Sequence, residues 1–222
     1  MKDIKKVIIV AGGSIDTDFL KEQLKDVSYS FIIAADKGLE ALDKAKIKPD
    51  LMLGDFDSAS EKIIEKYRSL EIPEIKLNPV KDDTDMEFAI RESIRRFEAV
   101  PIVLYAASGS RLDHTMANME LLKIGYEKSP YTNITLINEK NRVSLLSRGE
   151  HTIVKKEQYG QYISLLCYTD EVKGVTLKGM KYNLNKKNIK KGSSLCISNE
   201  IIDDVAYIDF DEGMMYLVEA LD

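Results

Sequence analysis

Two carboxylates one residue apart, Asp55 and Asp57 in Gly54-Asp55-Phe56-Asp57-Ser58, follow the apolar run Leu51-Met52-Leu53. That run reads as the end of a buried strand, and in an extended chain residues two apart point to the same side. The pair would then crowd two negative charges at a strand's C-terminal end. Two unit charges ~4 Å apart repel by ~1 kcal/mol in water and by ~4 kcal/mol at an effective dielectric of 20. A fold tolerates this when a cation lies between them or when one carboxylate stays protonated. Hard carboxylate oxygens suit Mg²⁺, which is typically held by one or two carboxylates together with substrate phosphates. A solvated turn is the alternative, because Asp and Ser are ordinary turn residues.

Lys81-Asp82-Asp83-Thr84-Asp85 is a second polar cluster. Thr84 and Glu87 have capping-box spacing, and acids favour a helix start. That accounts for Thr84, Glu87 and one aspartate, but not for three aspartates beside a lysine. A lysine facing phosphate, with aspartates completing a metal site, would account for them. The third cluster runs from Ser108 to Asn118, SGSRLDHTMAN. Small residues between a strand and a helix let backbone N–H groups approach an anion. Arg111, His114 and Asn118 fall on one helix face, with Asp113 beside it. Leu112, Met116, Met119 and Leu122 form the opposite stripe, expected to face the core. Arg111 is suited to binding phosphate or stacking on a base. Gly12-Gly13 lacks the full dinucleotide fingerprint and is equally explained by a tight turn.

The elements that must position these clusters alternate. Apolar runs at 7–10, 31–35, 51–53, 75–77, 102–106 and 134–137 read as strands, and helical patterns lie near 17–25, 38–45, 59–70, 84–98 and 112–126. This order predicts a mostly parallel sheet flanked by helices, whose ligands bind beyond the C-terminal strand ends. The polar clusters fall there, as does Asp36-Lys37-Gly38. From about Arg142 the pattern changes: all five prolines lie before this point, and short alternating segments follow at 142–147, 151–155, 161–168, 172–178, 194–198, 204–210 and 214–219. They predict a small all-β sandwich, with Asp211-Glu212-Gly213 as a hairpin loop. The division expected is 1–140 for an α/β domain and 141–222 for the β-sandwich.

A 44% hydrophobic and 31% charged composition is ordinary for a globular protein. The net charge of −5 argues against a nucleic-acid partner, which usually meets a basic surface. No apolar run has the length of a membrane span, and the stretch from Val7 to Ala11 is too short for a signal-peptide core. The two cysteines, Cys167 and Cys196, lie in apolar contexts and read as reduced core residues, which makes a cytoplasmic location the expectation.

The ordered segments AADKG, PDLMLGDFDS, KDDTDMEFA and GSRLDHTMANMELL, followed by GVTLKGMKYNL and SSLCISNE, resemble the thiamine pyrophosphokinase family over nearly the whole chain. The resemblance implies an α/β catalytic domain that binds ATP, a β-sandwich domain that binds thiamine, a homodimer and a requirement for Mg²⁺. It implies transfer of a pyrophosphoryl group from ATP to the hydroxyl of thiamine, giving thiamine diphosphate and AMP. By matching position, Asp55, Asp57 and Asp82 would hold the metal. Lys81 and Asp85 would join them in catalysis, with Asp85 a candidate proton acceptor. Asp36, Thr84, Ser108, Arg111, Asp113, His114 and Asn118 would line the nucleotide site, and Tyr182, Ser198 and Asn199 the thiamine site. Many relatives carry tryptophan where this chain has Tyr182; tyrosine can still stack on a cationic ring. Two other readings compete. An aspartate-nucleophile phosphatase also carries Asp-x-Asp after a strand, but Ser58-Ala59 replace its usual Gly-Thr and the C-terminal half is left without a role. A non-catalytic module would bind nucleotide or thiamine compounds without forming AMP.

Overall fold

The computed structural model describes residues 3–57, 59–78, 83–128 and 131–222. The chain divides into two units, Met1–Glu139 and Lys140–Asp222. In the first, strands β1 (Lys6–Val10), β2 (Ser30–Ala35), β3 (Leu51–Gly54), β4 (Glu74–Lys76), β5 (Ile102–Tyr105) and β6 (Ile134–Ile137) alternate with helices α1 (Thr17–Gln23), α2 (Gly38–Ala45), α3 (Glu61–Ser69), α4 (Asp85–Arg96) and α5 (Leu112–Glu120). The strands pair in parallel in the order β6-β5-β1-β2-β3-β4. Val7 to Val10 are wholly buried, as a central parallel strand covered on both faces requires. The chain winds outward from β1 through β4, then returns to lay β5 on the other side of β1. Such a reversal leaves a crevice beyond the C-terminal ends of the two strands beside it.

The second unit is antiparallel. Strands β7 (Asn141–Val154), β8 (Tyr162–Cys167), β9 (Glu171–Lys178), β10 (Leu184–Lys190) and β11 (Val205–Ala220) run in the order β10-β9-β11-β7, and β8 pairs with β11. Its core gathers Ile163, Leu165, Val172, Val175, Leu177, Ile208, Phe210 and Met215. Three sequence expectations need correction here. Segments 142–147 and 151–155 are one strand, as are 204–210 and 214–219. Asp211-Glu212-Gly213 is no hairpin loop: β11 continues through it with a register shift between Phe210 and Met214, and Glu212 still pairs with Lys173. Gly213, at φ 99°, supplies the kink of a bulge rather than a chain reversal. Residues 194–198 form turns, whereas the lysine-rich 184–190 is the edge strand; lysines on an edge discourage pairing with other chains. No helix among the described residues is long and apolar enough to cross a membrane.

Candidate active site

The crevice is a cleft of about 600 Å³ built wholly from the first unit. Its walls are Ala11 to Ser14 after β1, Ala35 to Lys37 after β2, Asp55 after β3, Thr84 to Met86 at the start of α4, and Ala106 to Arg111 after β5, with His114, Thr115 and Asn118 from α5. Three of these strand tips hold a non-glycine residue at positive φ: Asp36 (47°), Phe56 (59°) and Ala106 (51°). Each such conformation costs on the order of 1–3 kcal/mol, and strain of this kind collects at functional sites.

Carboxylate oxygens of Asp36, Asp55 and Asp57 lie within 4.8 Å of one another. Asp55 and Asp57 do converge, but not by the alternation of a strand. β3 ends at Gly54, and the left-handed Phe56 turns the chain so that its ring enters the core while the flanking carboxylates stay at the tip. The Asp57 N–H donates to Asp55 Oδ1 at 3.1 Å, closing the turn. The charge of Asp55 foremost, then loss of water and the charge of Asp36, push the Asp57 carboxyl above its usual range. A three-oxygen donor set that suffers from its own repulsion fits a hard divalent cation. Asp36, placed in the nucleotide pocket by the sequence reading, is the third member of this cluster. Lys81 and Asp82 lie outside the described residues.

On α4, Thr84 Oγ1 accepts the Glu87 N–H at 3.2 Å, which is half of a capping box. The Glu87 carboxylate does not return the bond; it pairs with Arg91 at 2.9 Å. The capped helix start leaves Thr84 and Asp85 facing the cleft.

The loop after β5 is laced to the loop after β1. The Gly13 N–H donates to Ala106 O at 2.7 Å and the Ser14 N–H to Ser108 O at 2.9 Å. Side chains fix it from outside: Asn118 Nδ2 donates to Ala107 O at 2.7 Å, Asn138 Nδ2 to Ser108 Oγ at 2.9 Å, and Thr115 Oγ1 accepts from the Gly109 N–H at 3.2 Å. Arg111 forks onto Asp113 at 2.6 and 3.2 Å, and this bond holds the Asp113 carboxyl down at about 2. Asp113 is therefore the partner of Arg111 and does not line the cleft. The expected core-facing stripe of α5 is corrected: Leu112 and Met116 are 72% and 67% exposed, no residue of α5 is buried, and the first anchor is Leu122 in the 3₁₀ turn that follows. The helix meets the molecule through its polar face at the cleft rim, so its apolar face turns outward. Sequence reasoning weighed Gly12-Gly13 as no more than a tight turn, set Asp36-Lys37-Gly38 at the ligand edge without a role for Lys37, and passed over Ser14 and Thr115. Their signal was faint, a run of small residues after the strand at the reversal point and a lysine beside Asp36.

In the second unit, Asn199 is buried and its amide clasps the Tyr182 backbone, donating to Tyr182 O at 2.8 Å and accepting the Tyr182 N–H at 3.0 Å. The Tyr182 ring is 59% exposed, with the Lys181 ammonium 5.8 Å from its centroid and bound to Glu200 at 2.7 Å. Ser198, at φ 54°, donates its N–H to Ser164 Oγ at 2.9 Å. Asn199 thus positions Tyr182 and leaves the ring open to a ligand.

Comparison with known proteins agrees along both units. The family model described as thiamin pyrophosphokinase, catalytic domain, matches residues 23–135, and the one described as thiamin pyrophosphokinase, vitamin B1 binding domain, matches residues 150–215. Thiamine pyrophosphokinase from Bacillus subtilis (strain 168) is 31% identical over 99% of this chain and 100% of its own length. The crystal structure of the Bacillus subtilis thiamine pyrophosphokinase superposes with a TM-score of 0.87 at 30% identity, covering 98% of this chain and 100% of that one. That of thiamin pyrophosphokinase from Geobacillus thermodenitrificans gives 0.84 at 28% identity, covering 98% of each chain. With both family models matched in order and a full-length relative of this identity, the chain belongs to the thiamine pyrophosphokinase family.

Proposed function

We propose that the protein is a thiamine diphosphokinase that transfers a pyrophosphoryl group from ATP to the hydroxyl of thiamine, releasing AMP. Membership of the family supports the activity and leaves the phosphatase and binding-only readings without support. The single structural observation that carries the reading is the convergence of Asp36, Asp55 and Asp57 within 4.8 Å beside a cleft of nucleotide size. A divalent metal belongs to the chemistry of this family, and Mg²⁺ is the ion we assign. Held by Asp36, Asp55 and Asp57, with Asp82 a further candidate from the sequence, it would supply charge neutralisation to the polyphosphate.

The remaining roles belong to the chain itself. The first unit binds ATP. The loop from Ala106 to Arg111 presents backbone and hydroxyl groups to the nucleotide, His114 and Asn118 bound it on one side, and Thr84 on the other. Arg111 leaves Asp113 to meet phosphate, and Lys81 does the same from the segment before α4. The second unit binds thiamine, stacking its cationic ring on Tyr182, with Ser198 beside it and Asn199 holding the backbone. The thiamine hydroxyl attacks the β-phosphorus in line with the departing AMP, and Asp85 accepts the hydroxyl proton. Catalysis in such a transfer is positioning and electrostatics. We further assign a homodimer, in which the exposed Leu112 and Met116 of α5 would gain cover, and a cytoplasmic location suited to two free, buried thiols.

The test is direct. Purified protein incubated with thiamine, ATP and Mg²⁺ should release AMP and thiamine diphosphate in equal amounts. Release of ADP with thiamine monophosphate, or of phosphate without thiamine, would overturn the assignment.

A further inference from the structure

We infer that Lys37 is a phosphate-binding residue of this enzyme, and that residue 12 is glycine so that the Lys37 side chain can lie against the loop after β1. The inference rests on the proposed nucleotide site and names a contact within it.

The charge of the cleft argues for another cation. Asp36, Asp55 and Asp85 line it, Asp57 adjoins it, and a polyphosphate brings several more negative charges. One divalent ion cannot offset them all. Among the described residues lining the cleft, Arg111 and Lys37 are the permanent cations. Arg111 is bound to Asp113 through two hydrogen bonds, so it meets phosphate only by giving up that pair. Lys37 is exposed and makes no ion pair with any described residue.

Geometry points the same way. Lys37 is the residue before α2, and its side chain caps nothing there. Its predecessor Asp36 belongs to the carboxylate cluster, so lysine and metal site share one strand tip. A Cβ placed on Gly12 would come within 2.8 Å of the Lys37 Cβ and 3.6 Å of its Cα. The missing side chain at position 12 is therefore the space that the lysine stem occupies. Lys37 lines the cleft and also a second hollow of about 430 Å³ behind the Gly12–Ser14 loop, where Glu40 and Lys44 are its neighbours. Lys44 lies seven residues on, two turns along the same helix face, and lines only that second hollow. A lysine ammonium is a compact charge on a flexible stem, suited to phosphate oxygens that shift as a group is transferred.

The experiment compares Lys37→Gln, Lys37→Arg and Lys44→Gln with the wild type, each first shown to melt within about 2 °C of it. Two readouts are used: steady-state AMP formation with ATP and thiamine varied in turn, and calorimetric titration with inorganic pyrophosphate in the presence of Mg²⁺. Lys37→Gln should raise KM for ATP and weaken pyrophosphate binding by about tenfold or more, the loss expected for a hydrogen bond to a charged group. Its KM for thiamine should stay within twofold, and Lys37→Arg should recover most of the loss. Lys44→Gln should match the wild type in both readouts. The inference is overturned if Lys37→Gln leaves both quantities within twofold of wild type, or if Lys44→Gln loses as much, which would make the effect one of general surface charge. A wild type that forms no AMP would refute the proposed activity instead, and the pyrophosphate titration would still decide the role of Lys37.

Discussion

Gly13→Ala tests whether the lacing of two strand tips sets the shape of the nucleotide cleft. A methyl at position 13 would fall 2.3 Å from Ala106 O and 2.4 Å from Ser108 O. Both are backbone atoms, so no side chain can swing aside. An ordinary carbon–oxygen contact begins near 3.4 Å, so the two loops must part by about 1 Å. The Gly13 N–H bond to Ala106 O, now 2.7 Å, lengthens or breaks with them. Overpacking of this kind costs about 1–3 kcal/mol, which is about 3–10 °C in Tm for a chain of this size. The effect on function should be larger in proportion, because a misplacement of about 1 Å near reacting groups costs on the order of 100-fold in rate. The assay is AMP formation at 20 °C, well below the transition, with a melting curve on the same preparation. We expect a fall in kcat/KM for ATP of about 100-fold beside a modest loss of Tm. A variant with wild-type kinetics and a wild-type melting curve would refute the claim that Gly13 sets the spacing of the two loops. Wild-type kinetics with a lowered Tm would refute the link from that spacing to the cleft.

Three further outcomes follow from named contacts. Asp57→Asn removes an oxygen charge from the acidic cluster, so turnover should fall by at least about 1000-fold while Tm stays level or rises, since repulsion from Asp55 and Asp36 is relieved; near wild-type turnover would remove Asp57 from the metal set. Asn199→Ala should raise KM for thiamine at least about fivefold with KM for ATP unchanged, because the amide that holds Tyr182 is lost; Tyr182→Ala should do the same, and equal changes in both constants would argue that this corner is structural only. Glu92 is held down at about 2, first by the Arg95 hydrogen bond and also by Arg96, against its loss of water. A depressed carboxyl stabilises the fold above its unfolded value of 4.5, and that contribution is lost as pH falls toward 2. The Tm of Glu92→Gln should therefore vary less between pH 4.5 and 2.5 than that of wild type; identical slopes would count against the ion triad.

Most of the first unit was legible because its signals are local. Apolar runs of three to five residues became strands in place, and Thr84 marked the start of α4 through a bond to a residue three positions on. The second unit was harder, since β7 and β11 bend and carry glycines within their length. Gly149 and Gly213 look like turn residues in the sequence, but a bulge uses the same backbone freedom. The outward face of α5 was misread for a different reason: periodicity shows which residues share a face, not which face finds a partner. Among the candidate site residues, Asp55 and Asp57 stood out by type and spacing, whereas Asp36 joins them only in the fold. Gly13 and Thr115 did not stand out, because their importance lies in which backbone atoms they meet across the switch point.

The acidic tip of β3 raises the question of what keeps it together when no cation is near. Phe56 is 7% exposed and packs in the core of the first unit, while its backbone takes a strained left-handed conformation. Burying a phenyl ring contributes about 1.5–3 kcal/mol, similar to the cost of one such backbone strain. The N–H of Asp57 closes the turn onto Asp55. Hydrophobic anchorage and one hydrogen bond hold the carboxylates close, so the proposed metal would enter a site already formed. Two results should follow together. Chelation should abolish AMP formation while the circular dichroism spectrum and cooperative melting persist. Mg²⁺ should then raise Tm by mass action, in step with its concentration relative to Kd, in the wild type but not in Asp57→Asn. If chelator alone unfolds the protein at 25 °C, the ion would be a structural staple, and the preformed turn would be the wrong account of how this strand tip tolerates its charge.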